Sequence, residues 1–256
     1  MINLRNIKQF FPQNLQNLDR FMLREYLQYK ILESISKNKL SNKLIFIGGT
    51  ALRIIYDNQR FSEDLDFDNY TLSIEEFNEL CSSVANDLKL IGIETEQRIV
   101  TKESYRCYLK FPNILKELGL SGHSLEKFLV QIDTMTKNYK YKIETPVINK
   151  FDVTTRVNCA PFDILISKKI EAILGRKKPK GRDYYDFVWA IGQSTPNYDY
   201  LNNSLGVQNK EKLKKTLLDF TEKINFDELA QDVQPFLFNA ESKSKIILFR
   251  DIVKSL

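Results

Sequence analysis

The apolar positions divide the chain into a front half that switches between helical and strand periods and a back half that is helical throughout. From Leu18 to Ile35, the residues Leu18, Phe21, Met22, Tyr26, Leu27, Ile31 and Ile35 recur at the spacing of one helix face. Leu44-Ile-Phe-Ile47 is a short, wholly apolar run that suits a buried strand. It stops at Gly48-Gly49, and Thr50 to Tyr56 then reads as a helix. Asp64-Leu-Asp-Phe-Asp68 alternates polar and apolar residues, the period of a strand with one wet face. Ser73-Ile-Glu-Glu76 has the composition of a capping box, and Phe77, Leu80, Cys81, Val84 and Leu88 mark the face of the helix behind it. Ser104 to Phe111 and Lys127 to Thr134 alternate again and read as strands. Beyond about residue 160 the pattern predicts helices over Phe162–Leu174 and Asp183–Ile191, and two or three more from about Lys210 to the C-terminus. The expected organisation is an α/β domain over 1–158 and a helical domain over 159–256, with the boundary near Asn158 to Pro161 and a cleft between them.

Composition narrows the class. The 256 residues are 43% hydrophobic and 28% charged, an ordinary globular balance with room for a sizeable core. No apolar run reaches the roughly 20 residues needed to span a bilayer, and the polar start MINLRNIKQFF lacks a signal peptide's apolar stretch. A cytoplasmic protein without a membrane partner is the expectation. Cys81, Cys107 and Cys159 are scattered, without CxxC spacing, and read as reduced thiols. The net charge of +5 permits a polyanionic partner such as RNA without demanding one.

Three features occur in an order that suggests chemistry. A strand ends in Gly48-Gly49 and opens a helix; two glycines let a backbone approach a phosphate, and the helix start offers free N–H groups and a positive dipole end. Then comes Asp64-Leu-Asp66, whose carboxylates, two residues apart on a strand, share one face. Their mutual repulsion is relieved by a divalent cation, and magnesium carrying triphosphate oxygens fits. Asp133, inside the apolar run VQIDTM, is a third carboxylate that could deprotonate or orient an attacking hydroxyl, or join a second metal. Taken singly, each has a plainer structural reading: a tight turn, a solvated strand face, a buried hydrogen-bonding residue.

GGTAL (48–52) followed by RFSEDLDF (60–67) resembles the AbiEii/AbiGii toxin group of nucleotidyltransferases, in the polymerase-beta-like superfamily. That group's second block, K-x-x-A-x-x-x-R and then RD-x-x-D, is matched by Lys169, Ala172 and Arg176, then Arg182, Asp183 and Asp186. The two blocks cover roughly residues 44–68 and 162–190. The resemblance implies an α+β fold, a mixed sheet with flanking helices followed by a C-terminal helical bundle. It implies that Gly48, Gly49 and Thr50 contact nucleotide phosphates, with Arg60, Ser62 and Arg182 supporting the nucleotide. Asp64 and Asp66 would hold Mg2+, or Mn2+ in its place. Lys169 and Asp183 would complete the active site from the helical half, with Asp133 the remaining catalytic candidate. Of the adjacent Lys168 and Lys169 only one can face the cleft, and the family register selects Lys169. The activity implied is transfer of a nucleoside monophosphate from an NTP to an acceptor hydroxyl, by resemblance a tRNA 3′ end. The biological role implied is the toxin of a toxin–antitoxin, abortive-infection or phage-defence pair with a separate antitoxin protein.

Other readings have less behind them. The same metal and lysine chemistry would serve a phosphotransferase acting on protein, and a non-catalytic regulatory homologue would keep the fold but should have lost a carboxylate. Arg182, Asp183 and Asp186 could be helix capping plus a surface ion pair. Arg176-Lys-Lys-Pro-Lys-Gly-Arg182 is a basic loop suited equally to an RNA backbone or to solvent. His123 is the only histidine, so histidine-based nucleophilic mechanisms are set aside. Tyr184-Tyr185, Tyr139 with Tyr141, and Tyr105 with Tyr108 read as core or surface residues before base-stacking platforms.

Overall fold

A computed structural model describes residues 2–101, 104–123, 126–136 and 139–256. The chain forms two compact units, one of residues 1–55 with 61–159 and the other of residues 56–60 with 160–256.

The first unit is mixed α/β. Its helices are α1 (Leu4–Lys8), α2 (Asp19–Lys37), α3 (Gly48–Tyr56), α4 (Ile74–Leu90) and α5 (Ile114–Glu117). Its strands are β1 (Leu44–Ile47), β2 (Leu65–Asn69), β3 (Glu96–Thr101), β4 (Tyr105–Phe111), β5 (Phe128–Thr136), β6 (Val147–Lys150) and β7 (Val153–Arg156). Five strands make one sheet in the order β1-β2-β5-β4-β3, antiparallel except where β2 runs parallel to β5; β6 and β7 pair separately. The alternation seen in the sequence becomes two unlike faces. Leu65, Phe67, Cys107, Leu109, Val130 and Ile132 are buried on one face, where α4 contributes Phe77, Leu80, Cys81 and Val84. Helix α4 starts in the expected capping box: the Ser73 hydroxyl accepts from the Glu76 N–H, and the Glu76 carboxylate accepts from the Ser73 N–H. All three cysteines are buried free thiols.

The second unit is helical: α6 (Phe162–Gly175), α7 (Gly181–Ile191), α8 (Tyr198–Leu205), α9 (Lys210–Phe220), α10 (Phe226–Val233), α11 (Ser244–Ile247) and α12 (Phe249–Ser255). Its core includes Ile166, Ile170, Tyr184, Tyr185, Phe187 and Phe249. Both adjacent tyrosines are fully buried, which makes them core residues. Helix α7 starts tightly against α10: a Cβ at Gly181 would fall 2.9 Å from the Leu229 carbonyl carbon, and the Gly181 N–H donates to Asp232 Oδ2 at 2.8 Å. Residues 56–60, between α3 and β2, were expected to stay with the α/β half; they join this unit because Asn58 and Arg60 pair with α7. Among the described residues no helix is long and apolar enough to cross a membrane.

Candidate active site

In the α/β unit the site is built around the junction of β1 and α3. Gly48 has φ +81°, a conformation that side chains rarely adopt. The neighbouring carboxylate adds a second reason for glycine. A Cβ at position 48 would lie 2.9 Å from the Asp66 Cβ and closer still to Oδ2. The glycine turn and the second aspartate of the D-x-D pair are therefore in van der Waals contact. Asp66 lies opposite Ile47 of β1, which brings the turn over it.

Asp64 precedes β2, and its backbone is held from below. Gln28 of α2 donates from Nε2 to the Ser62 carbonyl at 3.1 Å and to the Glu63 carbonyl at 2.9 Å. The Thr50 hydroxyl donates to the Asp64 carbonyl. Three consecutive carbonyls are thus fixed by side chains of α2 and α3. Gln28 and Thr50 are buried and the segment they hold is partly exposed, so fixed core side chains set the path of the Asp64 backbone. Thr50 was expected to contact a phosphate; in this structure its hydroxyl donates to the Asp64 carbonyl and so helps to position Asp64. Ser62 is half-buried, and the bond seen at it uses its carbonyl. Gln28 escaped the sequence reading, although its signal was present: it is an uncharged polar residue at helical spacing from Phe21 and Ile31 on an apolar stripe.

Asp64 and Asp66 are both partly exposed, whereas Asp68, next on the same strand face, is fully buried and accepts from the Tyr141 hydroxyl at 2.5 Å. Burial, with the Asp68 charge, holds the Tyr141 hydroxyl protonated far above the ordinary tyrosine range. Asp133 is the direct neighbour of Asp66 across the β2–β5 pair. Both its oxygens are engaged, Oδ1 by Arg106 Nε at 2.6 Å and Oδ2 by Gln131 Nε2 at 2.6 Å. Arg106 is held above its usual range chiefly by this hydrogen bond. No group of three or more His, Cys, Asp or Glu side chains able to hold a metal occurs among the described residues. The carboxylates at this end of the sheet are Asp64, Asp66 and, across the β2–β5 pair from Asp66, Asp133.

The helical unit holds a second cluster. Asp186, fully buried, accepts from Arg60 through two bonds, Nε to Oδ1 at 2.6 Å and Nη2 to Oδ2 at 2.5 Å. It also accepts from Asn58 Nδ2 at 2.7 Å, and Lys169 Nζ lies 2.8 Å away. Lys169 Nζ reaches Asp183 Oδ1 at 3.1 Å, and Arg176 Nε stands 2.8 Å from Asp183 Oδ2. Arg60, expected at the nucleotide, is buried with its guanidinium on Asp186. Asp183 and Asp186 are both buried, which removes the reading of a surface ion pair. Burial opposes every charge here and the opposite charges overcome it: Asp186 is held below the carboxylate range, and Lys169 and Arg60 above their own. Three cations share two carboxylates, leaving the cluster net positive. Lys168 is half-exposed beside the Tyr200 ring, 5.5 Å away, so Lys169 is the lysine that meets the carboxylates. Arg182 places its guanidinium over Phe236 at 4.7 Å.

A model of the family described as "Nucleotidyl transferase AbiEii toxin, Type IV TA system" matches residues 30–253. No curated protein matches the chain. Among solved structures it resembles JHP933 from Helicobacter pylori at 18% identity and TM-score 0.55, covering 92% of this chain and 90% of that one. A putative nucleotidyltransferase from H. pylori matches at 18% identity and TM-score 0.56, with 91% and 94% covered. MenT4, a nucleotidyltransferase toxin from Mycobacterium tuberculosis H37Rv, matches at 13% identity and TM-score 0.60, with 100% and 91% covered. At these identities the three structures establish the shared α+β fold.

Proposed function

Because the chain belongs to the AbiEii nucleotidyltransferase toxin family of type IV toxin–antitoxin systems, we propose that it transfers a nucleoside monophosphate from an NTP to an RNA hydroxyl, at the 3′ end of a tRNA, on a magnesium site carried by Asp64 and Asp66. The observation that carries this reading is the seating of Asp66 against Gly48, which joins the phosphate-approach turn to the carboxylate pair. Two carboxylates suit magnesium, which takes few protein ligands and completes its shell with water and substrate phosphates; manganese accepts the same donors. When bound, the metal would neutralise triphosphate charge as pyrophosphate leaves.

The remaining work falls to the chain's own groups. The backbone N–H groups at the start of α3 bind phosphate oxygens, which Gly48 and Gly49 allow to come close. Thr50 and Gln28 hold Asp64 in place. Asp133, tied to Arg106 and Gln131, orients the acceptor hydroxyl beside Asp66. That hydroxyl's oxygen bonds to the α-phosphorus and gives its proton to solvent, and the bond from that phosphorus to the pyrophosphate oxygen breaks, releasing pyrophosphate. In the helical unit Lys169 is kept charged by Asp183 and Asp186, a point charge suited to phosphate. Lys177, Lys178 and Lys180, in the loop before α7, supply cations for an RNA backbone. A cognate antitoxin protein is the partner, and arrest of phage-infected cells the use.

The test is incubation of the protein with magnesium, total RNA and each NTP labelled at the α- or γ-phosphate, then with tRNA whose 3′ end is intact or removed. Label from the α position should enter RNA, require the intact 3′ end of tRNA, and be lost in EDTA. Label from the γ position entering protein would make the enzyme a phosphotransferase and overturn the proposal.

A further inference from the structure

The face of the sheet opposite α4 continues past Asp66 and Asp133 onto β4 and β3, whose side chains have no role in the proposed metal site. Register puts its residues in rows. Asp66 of β2, Asp133 of β5, Arg106 of β4 and Val100 of β3 are consecutive neighbours in one row. Gln131, Tyr108 and Arg98 make the next row, and Leu129, Lys110 and Glu96 the one after. The columns therefore change in charge across the sheet, from carboxylates on β2 and β5 to Arg106, Lys110 and Arg98 on β4 and β3, with Tyr108 among them. With strands about 4.8 Å apart, the β3 column lies roughly 10 Å from the Asp133 column.

This face is open. Arg98 is exposed, and Arg106, Tyr108 and Lys110 are half-buried, whereas Cys107 and Leu109 on the opposite face are fully buried. Arg98 makes no ion pair among the described residues, and Glu96 is drawn off to Lys127 at 2.7 Å. Arg106 is tied to Asp133, so the basic track is joined by hydrogen bonds to the acid column. Cations spaced along a face with one aromatic ring between them suit a single-stranded polyanion with unstacked bases: the guanidinium and ammonium groups meet phosphates, and the ring meets a base.

We infer that this open sheet face, through Arg98, Tyr108 and Lys110, is the track on which the single-stranded end of the RNA acceptor lies, leading its terminal hydroxyl to Asp133 and Asp66. The inference rests on the proposed RNA acceptor and names the side chains that receive it. Positive charge at the β3 edge holds the chain two strands from Asp133, and the Arg106–Asp133 pair spans the change of sign between them.

The experiment uses full-length protein and a fluorescein-labelled ten-nucleotide single-stranded RNA of mixed sequence, with binding read by anisotropy over a salt series. NTP binding and α-label transfer to total RNA are measured in parallel. The double variant Arg98→Gln with Lys110→Gln should weaken RNA binding about tenfold and lower the salt slope by about 1.4, at roughly 0.7 per cation for a single strand. NTP affinity should be unchanged. Tyr108→Ala should weaken RNA binding about tenfold and Tyr108→Phe restore it, because stacking uses the ring and not the hydroxyl. Variants that bind the RNA with wild-type affinity and slope would overturn the track, while continued α-label transfer to RNA would leave the proposed function standing. Wild-type protein that neither binds RNA nor labels it would overturn both.

Discussion

At the scale of single residues, Gly48 carries two requirements at once, a left-handed backbone and an empty place for the Asp66 carboxylate. Gly48→Ala should cost about 2–3 kcal/mol, from backbone strain and the displaced neighbour together. It should reduce transfer by far more than stability alone explains, since Asp66 must move. Urea midpoints beside initial rates measure this; an unchanged midpoint with full activity would mean that the turn has no such role. The paired lysines make a second contrast. Lys169→Ala strips a cation from two buried carboxylates and should destabilise the fold by about 3–5 kcal/mol. Lys168→Ala loses a partly exposed contact beside Tyr200 and should cost about 1 kcal/mol or less. Denaturant unfolding of the two variants separates them, and equal losses would contradict the burial pattern of α6.

At the scale of elements, the Arg60–Asp186–Lys169 cluster ties the segment 56–60 to α6 and α7, and its ionisation sets a pH window. Asp186 titrates lower in the folded chain than its unfolded value of about 3.9, so its stabilisation is present above that pH and lost as acid takes pH through the folded value. Lys169 titrates higher than its unfolded value of about 10.4, so its stabilisation is present below that pH and lost as pH rises through the folded value. Urea unfolding from pH 2 to 6 should show a steep acid loss in wild type and a shallower one in Asp186→Asn. Parallel acid limbs would remove Asp186 as their source. The elements themselves were unevenly legible. β1, α3, α4 and α6 announced themselves through apolar period, glycine turn and capping box. β3 hid because its residues are mostly exposed at a sheet edge, without an alternating apolar set. β6 and β7 hid because four residues each are too short for a period to show.

At the scale of the whole molecule, sequence order alone grouped the glycine turn with the D-x-D pair, because the two are close along the chain and need only one strand–helix–strand passage to meet. What order could not give is the parallel pairing of β2 with β5, which sets Asp133 beside Asp66 from a distant segment. Nor could it give the destination of Arg60, which sits within the first motif yet belongs to the helical unit through Asp186. A residue's neighbours in a motif need not be its partners in space. The family model matches residues in both units, so transfer should be measured on the whole chain. The proposed function stands or falls with Asp64 and Asp66 carrying the metal-dependent transfer. The most direct measurement is α-label incorporation into RNA by wild type, Asp64→Asn and Asp66→Asn across a magnesium titration, with urea midpoints taken alongside. Asn is nearly isosteric and both positions are partly exposed, so folding should be retained while incorporation falls by at least about a hundredfold at every magnesium concentration. Incorporation at the wild-type rate in either variant, or undiminished incorporation by wild type in EDTA, would contradict the account.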